Sequence, residues 1–372
     1  MTKLTPQKLG ADMSWPGRMK NIKKKREEDN LSFKVLTDKI DRQEIISETR
    51  LTAAQMKIKS ERDKQLSDII TRKDDRFLVI IGPCSAHDSD AVRDYAHRLA
   101  KLQERVKDKL FLIPRVYTNK PRTNGEGYKG MMYQPNPHDM PDIKAGLKSI
   151  RELHGRIIGE TGLTTADEML YPDNHEFVDD LISYVAVGAR SVENQQHRFV
   201  ASGIGMPVGM KNPTSGDINV LFNSLHAAQS KHIFLYNNTE VETSSNPLAH
   251  VVLRGAVDKF GRNLPNYHYD DLVNTIEKYK QCGLKNPFIV IDTNHDNSGK
   301  KYMEQIRIVK EVLFNRTWSD DIKYYVKGFM IESFIEEGKQ DVSGEVYGKS
   351  ITDPCLGWEQ TERLVEYIAE NV

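Results

Sequence analysis

Cysteine is scarce in this chain: Cys84, Cys282 and Cys355 are the only three in 372 residues. Three thiols cannot form a disulfide framework at this length, so a reducing cytoplasm is the expected setting. Long apolar runs are lacking too. No stretch approaches the roughly 20 consecutive apolar residues of a membrane-spanning helix. The Lys and Arg residues near the N-terminus have no apolar run behind them, which argues against a secretory signal. Neither sign of charge is in excess, with 53 Lys+Arg against 53 Asp+Glu. That balance gives no electrostatic footprint for nucleic acid or an anionic membrane. The dinucleotide GxGxxG, the P-loop and the GxSxG elbow are missing as well. What remains is the expectation of a soluble cytoplasmic globular protein.

The 38% hydrophobic share suffices for a core, and the polar excess sits largely at the N-terminus. KNIKKKREED (residues 20–29) is a charge run with little to bury, an exposed or disordered segment. From Thr52 to Ile70, TAAQMKIKSERDKQLSDII has helix formers at rough 3.6-residue spacing. It predicts a helix that packs on a barrel end or a neighbouring subunit, or stays solvated. Residues 1–74 are therefore read as a partly helical extension, regulatory or oligomerising, and 75–372 as the catalytic unit.

After Asp75 short apolar runs alternate with longer amphipathic stretches, the pattern of repeated βα units and a parallel sheet. The runs are FLVIIG, FLIPRVY, GLTTADE, YVAVGAR, PVGMKN, HIFLY, HVVLRG, FIVIDTNH and YVKGFMIES. That is one more than the eight strands of a (β/α)8 barrel. The surplus falls between HIFLY and HVVLRG, where no helical pattern intervenes, and predicts an inserted hairpin-type excursion. Helices are predicted at AVRDYAHRLAKLQERVKD, FVDDLISYV and YMEQIRIVKEVLF. A TIM barrel fits this order, and so does a doubly wound open sheet.

Reactive residue types recur just after successive apolar runs. Cys84 follows LVIIGP; Arg115 follows FLIP, with Lys120 and Arg122 shortly after. Glu168 ends GLTTADE, Arg190 ends VAVGA, Lys211 ends PVGM and Arg254 ends HVVL. His295 ends FIVIDTN, Glu332 ends FMI, and Asp353 lies in the loop beyond. In a βα barrel all strand C-termini open on one face, so these residues would converge there. The cations Arg115, Lys120, Arg122, Arg190, Lys211 and Arg254 would repel one another unless anionic ligands neutralised them. Arg suits bidentate binding of phosphate and carboxylate, and Lys supplies a compact charge. Two anionic substrates, or one with several anionic groups, are implied. Cys84, His295, Glu332 and Asp353 form a mixed thiolate, imidazole and carboxylate set that suits a first-row divalent metal and leaves Mn, Fe, Co, Zn and Cu open. Taken singly, each cation reads as a strand-end charge in solvent, Cys84 as a buried structural thiol, and each carboxylate as a surface or capping group. NPTSGD after PVGMK reads as a helix cap before it reads as a phosphate loop. Met131, Met132 and the nearby tyrosines read as packing.

Together these residues resemble the class I 3-deoxy-D-arabino-heptulosonate 7-phosphate (DAHP) synthases. The matching stretches are IIGPCSAHD, RVYTNKPRT with GYKG, GARSVENQQHR, ASGIGMPVGMKN, HVVLRG with PNY, IDTNHDNSGK, MIESFIEEGKQ and YGKSITDPCLGWE. They run in family order from about Asp75 to Trp358. The resemblance implies a (β/α)8 barrel and a metal-dependent 3-deoxy-7-phosphoheptulonate synthase of the shikimate pathway, condensing phosphoenolpyruvate with erythrose 4-phosphate. One divalent ion is implied on Cys84, His295, Glu332 and Asp353. Phosphoenolpyruvate is placed on Arg115, Lys120, Arg190, Lys211 and Arg254, and the sugar phosphate on Arg122 and Thr123, with Asp353 close by. Glu168 is implied to help place the attacking water, with His295 and Lys211 as the other catalytic groups. A cytoplasmic homodimer or homotetramer is expected.

Departures from the family pattern are a TNGEGY loop one residue longer than in enterobacterial members, a shorter HIFLY–HVVLRG excursion, an insertion at VDKFGRNL and a longer N-terminal extension. Three rival readings use the same residues. A 3-deoxy-octulosonate 8-phosphate synthase would take arabinose 5-phosphate, and KPRT argues against it. A Schiff-base aldolase would use Lys211 as nucleophile. A non-catalytic barrel would sense a phosphorylated metabolite.

Overall fold

The computed structural model describes residues 33–122 and 125–372. The charge run at 20–29 and Thr123 lie outside the described residues. The chain divides after Asp41. Of the first unit, residues 33–41 are irregular chain with a bend at Thr37 and Asp38. The second unit, Arg42–Val372, carries everything that follows.

Its centre is a ring of parallel strands: β1 Phe77–Gly82, β2 Leu110–Pro114, β3 Ala166–Glu168 and β4 Tyr184–Val187. The ring continues with β5 Val208–Lys211, β6 His250–Leu253, β7 Ile289–Asp292 and β8 Val326–Glu332. Their order is β2-β1-β8-β7-β6-β5-β4-β3, so each strand lies beside its sequence neighbour and β8 returns to β1. A parallel bridge between Arg115 and Ala166, with Val116 N donating to Ala166 O at 2.9 Å, joins β2 to β3 and closes the ring. The open doubly wound sheet is therefore excluded. Nearly every strand residue is buried, because helices cover the outer face while side chains fill the inside. Glycine is required at one interior point: a Cβ on Gly209 would lie 2.0 Å from the Tyr184 hydroxyl, which pairs with His250 Nε2 at 2.9 Å.

The N-terminal end of the ring is plugged from outside. Helix α1 (Arg42–Glu48) leads into α2 (Ala53–Ile70), which starts where a capping box joins Thr52 and Gln55. Leu66, Ile69 and Ile70 of α2 enter the same core cluster as Leu78, Ile80, Phe111, Phe288 and Met330. Of the three predicted sites for this helix, the barrel end is the observed one. The outer helices are α3 (Ser89–Val106), α4 (Ile143–Thr161), α5 (Gln195–Gly203), α6 (Ile218–Ala228), α7 (Tyr269–Gln281), α8 (Glu304–Trp318) and α9 (Trp358–Asn371). Among the described residues no helix is long and apolar enough to cross a membrane.

Within the HIFLY–HVVLRG stretch, HVVL is a barrel strand and HIFLY lies outside the barrel. Ile233–Tyr236 pairs antiparallel with Thr239–Glu242 around Asn237 and Asn238, both at positive φ, as a tight two-residue hairpin needs. VDKFGRNL forms a second small antiparallel pair, Ala256–Val257 with Asn263–Leu264. NPTSGD ends in a cap: Asp217 accepts from the Asn219 and Val220 amides at the start of α6. The helix predicted at FVDDLISYV does not form. A 3-10 turn at Pro172–Phe177 fills the β3–β4 connection instead. Arg151 takes Phe177 O and Asp180 Oδ1, each at 2.6 Å, and Arg42 takes Asp179, so tertiary partners hold groups a helix would have used.

If α2 is the plug, Leu66→Ala should lower the unfolding free energy by about 2–5 kcal/mol. Urea titration checks this, and a loss below about 1 kcal/mol would mean that the floor repacks without α2.

Candidate functional site

All the predicted reactive residues that the structure describes lie at the C-terminal ends of the strands. A cavity of ≈ 240 Å³ opens there, and Lys120, Arg122, Glu168, Arg190, Lys211, Arg254, His295 and Asp353 line it. Cys84, Arg115 and Glu332 are buried beside it. A larger cavity of ≈ 790 Å³, lined by Arg42, Asp63, His175, Phe234 and Tyr236 among others, receives none of these groups. The smaller cavity is the one with chemistry.

The proposed metal ligands meet on its floor. Cys84 Sγ and one carboxylate oxygen each from Glu332 and Asp353 lie within 4.8 Å of one another. His295 stands next to this trio, with Nε2 3.8 Å from Glu332 Oε1. Its Nδ1 faces both oxygens of Asp292, at 3.0 and 2.9 Å. With a proton on Nδ1 facing Asp292, the ring would be free to present Nε2 to a metal, the usual arrangement of a metal-binding imidazole. Glu332 supplies the fit test. Its Oε2 accepts from Asn294 Nδ2 at 2.5 Å, but its Oε1 is buried with no hydrogen-bond partner. Arg115 Nη2 is 2.9 Å from Oε1 without being directed as a hydrogen bond. A buried carboxylate oxygen without a directed hydrogen bond, beside a thiol, a carboxylate and an imidazole, fits a divalent cation.

Local charges suit that reading. Lys120 Nζ reaches Cys84 Sγ at 3.1 Å and Cys84 O at 2.8 Å. Burial works against the charge on Lys120, yet the neighbouring thiol and carboxylates raise its pKa above the ordinary lysine value. Asp292 is buried, which disfavours its charge, but His295 and Lys211 hold its carboxyl far below the usual range. Cys355 is different: burial pushes its thiol well up, so it is held in the protonated form.

The cations are not left facing each other. Lys211 Nζ donates to Asp292 Oδ2 at 2.9 Å, Arg254 pairs with Asp296, and Arg115 lies against Glu332. Arg122 Nε donates to Tyr128 O at 2.8 Å, and Arg190 is exposed at the rim. The expectation that ligand anions alone would balance the cluster is thus too simple, because buried carboxylates already offset half of it.

Residues 48–366 match the family model described as the DAHP synthetase I family. The chain belongs to the DAHP synthetase I family. A similar relative is the Trp-sensitive phospho-2-dehydro-3-deoxyheptonate aldolase of Enterobacter agglomerans, 41% identical over 320 residues, 83% of this chain and 88% of that one. The Tyr-sensitive enzyme of Escherichia coli strain K12 is 38% identical over 318 residues, 83% of this chain and 86% of its own. A solved structure of the aldolase from Francisella tularensis SCHU S4 superposes with a TM-score of 0.83 at 31% identity, covering 91% of this chain and 98% of that chain.

For this DAHP synthetase, residues that sequence reasoning passed over prove central. Asp292, Asn294 and Asp296 flank His295 in IDTNHD, and Lys300 donates to Asp353 Oδ1 at 2.9 Å. Asp292 carried a usable signal, since it ends β7 just as Glu332 ends β8.

Two outcomes follow from this geometry. Asp292→Asn should weaken divalent-metal affinity by about 10–100-fold, read by competition with a metallochromic dye. Asp353 is pulled from 3.8 to about 2: burial opposes its charge, but Lys120, Lys300 and His295 outweigh burial. A depressed carboxyl stabilises the metal-free fold fully above its unfolded value and loses that contribution as pH falls through its folded value. The stability gap between wild type and Asp353→Asn should therefore shrink as pH falls from 3.8 through about 2. Urea midpoints across a pH series with chelator present check this.

Proposed function

We infer that this chain is a 3-deoxy-7-phosphoheptulonate synthase, condensing phosphoenolpyruvate with erythrose 4-phosphate and water as the first step of the shikimate pathway. The observation that carries the reading is the donor set of Cys84, Glu332 and Asp353 at the barrel mouth of a chain of this family. In this reading the barrel of 75–372 is catalytic, 1–74 is an extension, and the enzyme is a cytoplasmic homodimer or homotetramer.

The roles follow from where each side chain stands. Cys84, His295, Glu332 and Asp353 hold one divalent ion of Mn, Fe, Co or Zn type. Bound there, the ion supplies Lewis acidity to the aldehyde oxygen of erythrose 4-phosphate. Asp292 keeps the proton on His295 Nδ1 and so presents Nε2 as a ligand. Arg190, Lys211 and Arg254 converge on the cavity, where they take the phosphate and carboxylate of phosphoenolpyruvate, with Lys120 and the buried Arg115 adding positive potential from the floor. Arg122 and Thr123 take the sugar phosphate. Glu168, at the end of β3, holds the water that adds at C2 of phosphoenolpyruvate as C3 bonds to the aldehyde carbon. Phosphate then leaves by C–O cleavage. Cations fixed around the cavity hold two anions in contact against their repulsion, which makes a bimolecular encounter a positioned one. Lys211 donates to Asp292, the pairing of a fixed cation rather than of a free amine nucleophile.

Phosphate release with both substrates tests the reading. Erythrose 4-phosphate should be preferred over arabinose 5-phosphate, chelator should abolish turnover, and added Mn²⁺ should restore it. Cys84→Ala should lose more than the roughly 10–100-fold that removal of a partner outside the ligand set costs. Chelator-resistant turnover, or a preference for the pentose, would overturn it.

A further inference from the structure

Glu168 and the loop that carries Lys120 and Arg122 come from different βα units, yet both hang on one buried carboxylate. β3 alternates, so Ala166 joins the barrel core while Asp167 points to the helix layer, where it is 4% exposed. Its Oδ1 accepts from Glu168 N at 2.7 Å and from Thr118 N at 2.9 Å. Its Oδ2 accepts from Thr118 Oγ1 at 2.5 Å and lies 3.7 Å from His154 Nε2 on α4. A buried carboxylate is costly unless its hydrogen bonds are met; the helix layer offers this one only the His154 ring at 3.7 Å, and the bonds within hydrogen-bond distance all come from Thr118 and Glu168.

The segments it joins have little room to move. Lys120 N donates to Lys129 O at 3.0 Å, and a Cβ on Gly130 would lie 2.4 Å from Thr118 O, so the loop is held from its far side as well. Glu168 packs over Gly188, where a Cβ would lie 2.3 Å from its Oε1. We propose that Asp167 is a positioning residue: it fixes the spacing between Glu168 and the Thr118–Arg122 segment, and through that spacing the distance between the water site and the two substrate anions. It touches neither substrate. The proposal rests on the roles given above to Glu168, Lys120 and Arg122.

Steady-state kinetics with both substrates on metal-loaded enzyme, normalised to folded protein, test it. Asp167→Ala should lower kcat/KM by about 10²-fold, as expected for a displacement near 1 Å, with a raised KM for at least one substrate. Asp167→Asn keeps an oxygen for both amide donors and should recover most of the loss. Thr118→Val keeps the backbone amide arm and removes the hydroxyl that serves Asp167 Oδ2 and accepts from Asn119 Nδ2, so it should raise KM per folded enzyme even though it also lowers the melting temperature; it decides the matter if Asp167→Ala does not fold. Unchanged KM values in Asp167→Ala and Thr118→Val, with kcat falling only as folded protein falls, would overturn the proposal. An Asn variant as impaired as the Ala variant would do so too. Glu168→Gln and Lys120→Met in the same assay test the underlying roles, so a failure there is told apart from a failure at Asp167.

Discussion

Glu332 ends β8 at the floor of the barrel mouth with 1% of its side chain exposed, and Arg115, the residue after β2, lies against it equally buried. Two charges this deep are tolerated only if each is met by partners of opposite sign or by directed hydrogen bonds. The fold supplies these from several elements. Gln305 of α8 grips the Glu332 backbone on both sides, with Oε1 accepting from its N–H at 2.9 Å and Nε2 donating to its C=O at 2.9 Å. Asn294, beyond β7, takes Oε2. Oε1 takes no directed hydrogen bond and has only the charge of Arg115 against it. The packing of β2, β7, β8 and α8 thus converges on one buried carboxylate with an oxygen that still lacks a directed hydrogen bond.

The rest of the mouth extends the same logic. Carboxylates beneath the surface anchor cations above them: Asp292 under Lys211, Asp296 under Arg254, Asp353 beside Lys300. Cations held this way keep their positions without substrate, and part of their mutual repulsion is cancelled in advance. Preorganisation of this kind lets an anion bind without first ordering long side chains. The two buried thiols at the site divide along the same line. Cys84 has the ammonium of Lys120 beside its sulfur, whereas Cys355 is pushed toward the neutral thiol by burial.

Much of this was legible in the sequence because a parallel barrel imposes a strict rule. Strand interiors are buried on both faces and read as apolar runs, and whatever reactive residue follows a run must sit at one common mouth. That rule located Glu168, Lys211, Arg254, His295 and Glu332, and narrowed the surplus run to the HIFLY–HVVLRG stretch without saying which end of it did not belong. It failed where tertiary contacts outweighed local pattern. FVDDLISYV has helical spacing, but Arg42 and Arg151 claim its acids and a carbonyl. Asp292 and Asp296 sit in a polar string around His295, and their pairing with Lys211 and Arg254 depends on three-dimensional proximity that spacing does not encode. Asp167 is hidden for a related reason: next to Glu168 it reads as a second acid of the same kind, and only the alternation of β3 separates their faces.

The central claim is that Cys84 and its carboxylate neighbours form one metal site. Titration of the metal-free protein with Co²⁺, followed in the near ultraviolet, tests this most directly, because a thiolate bound to Co²⁺ gives an intense charge-transfer band that carboxylates and imidazole do not. The account predicts that the band grows to saturation at one equivalent and is absent from Cys84→Ala. Saturating Co²⁺ without the band, or an equal band in Cys84→Ala, would contradict it.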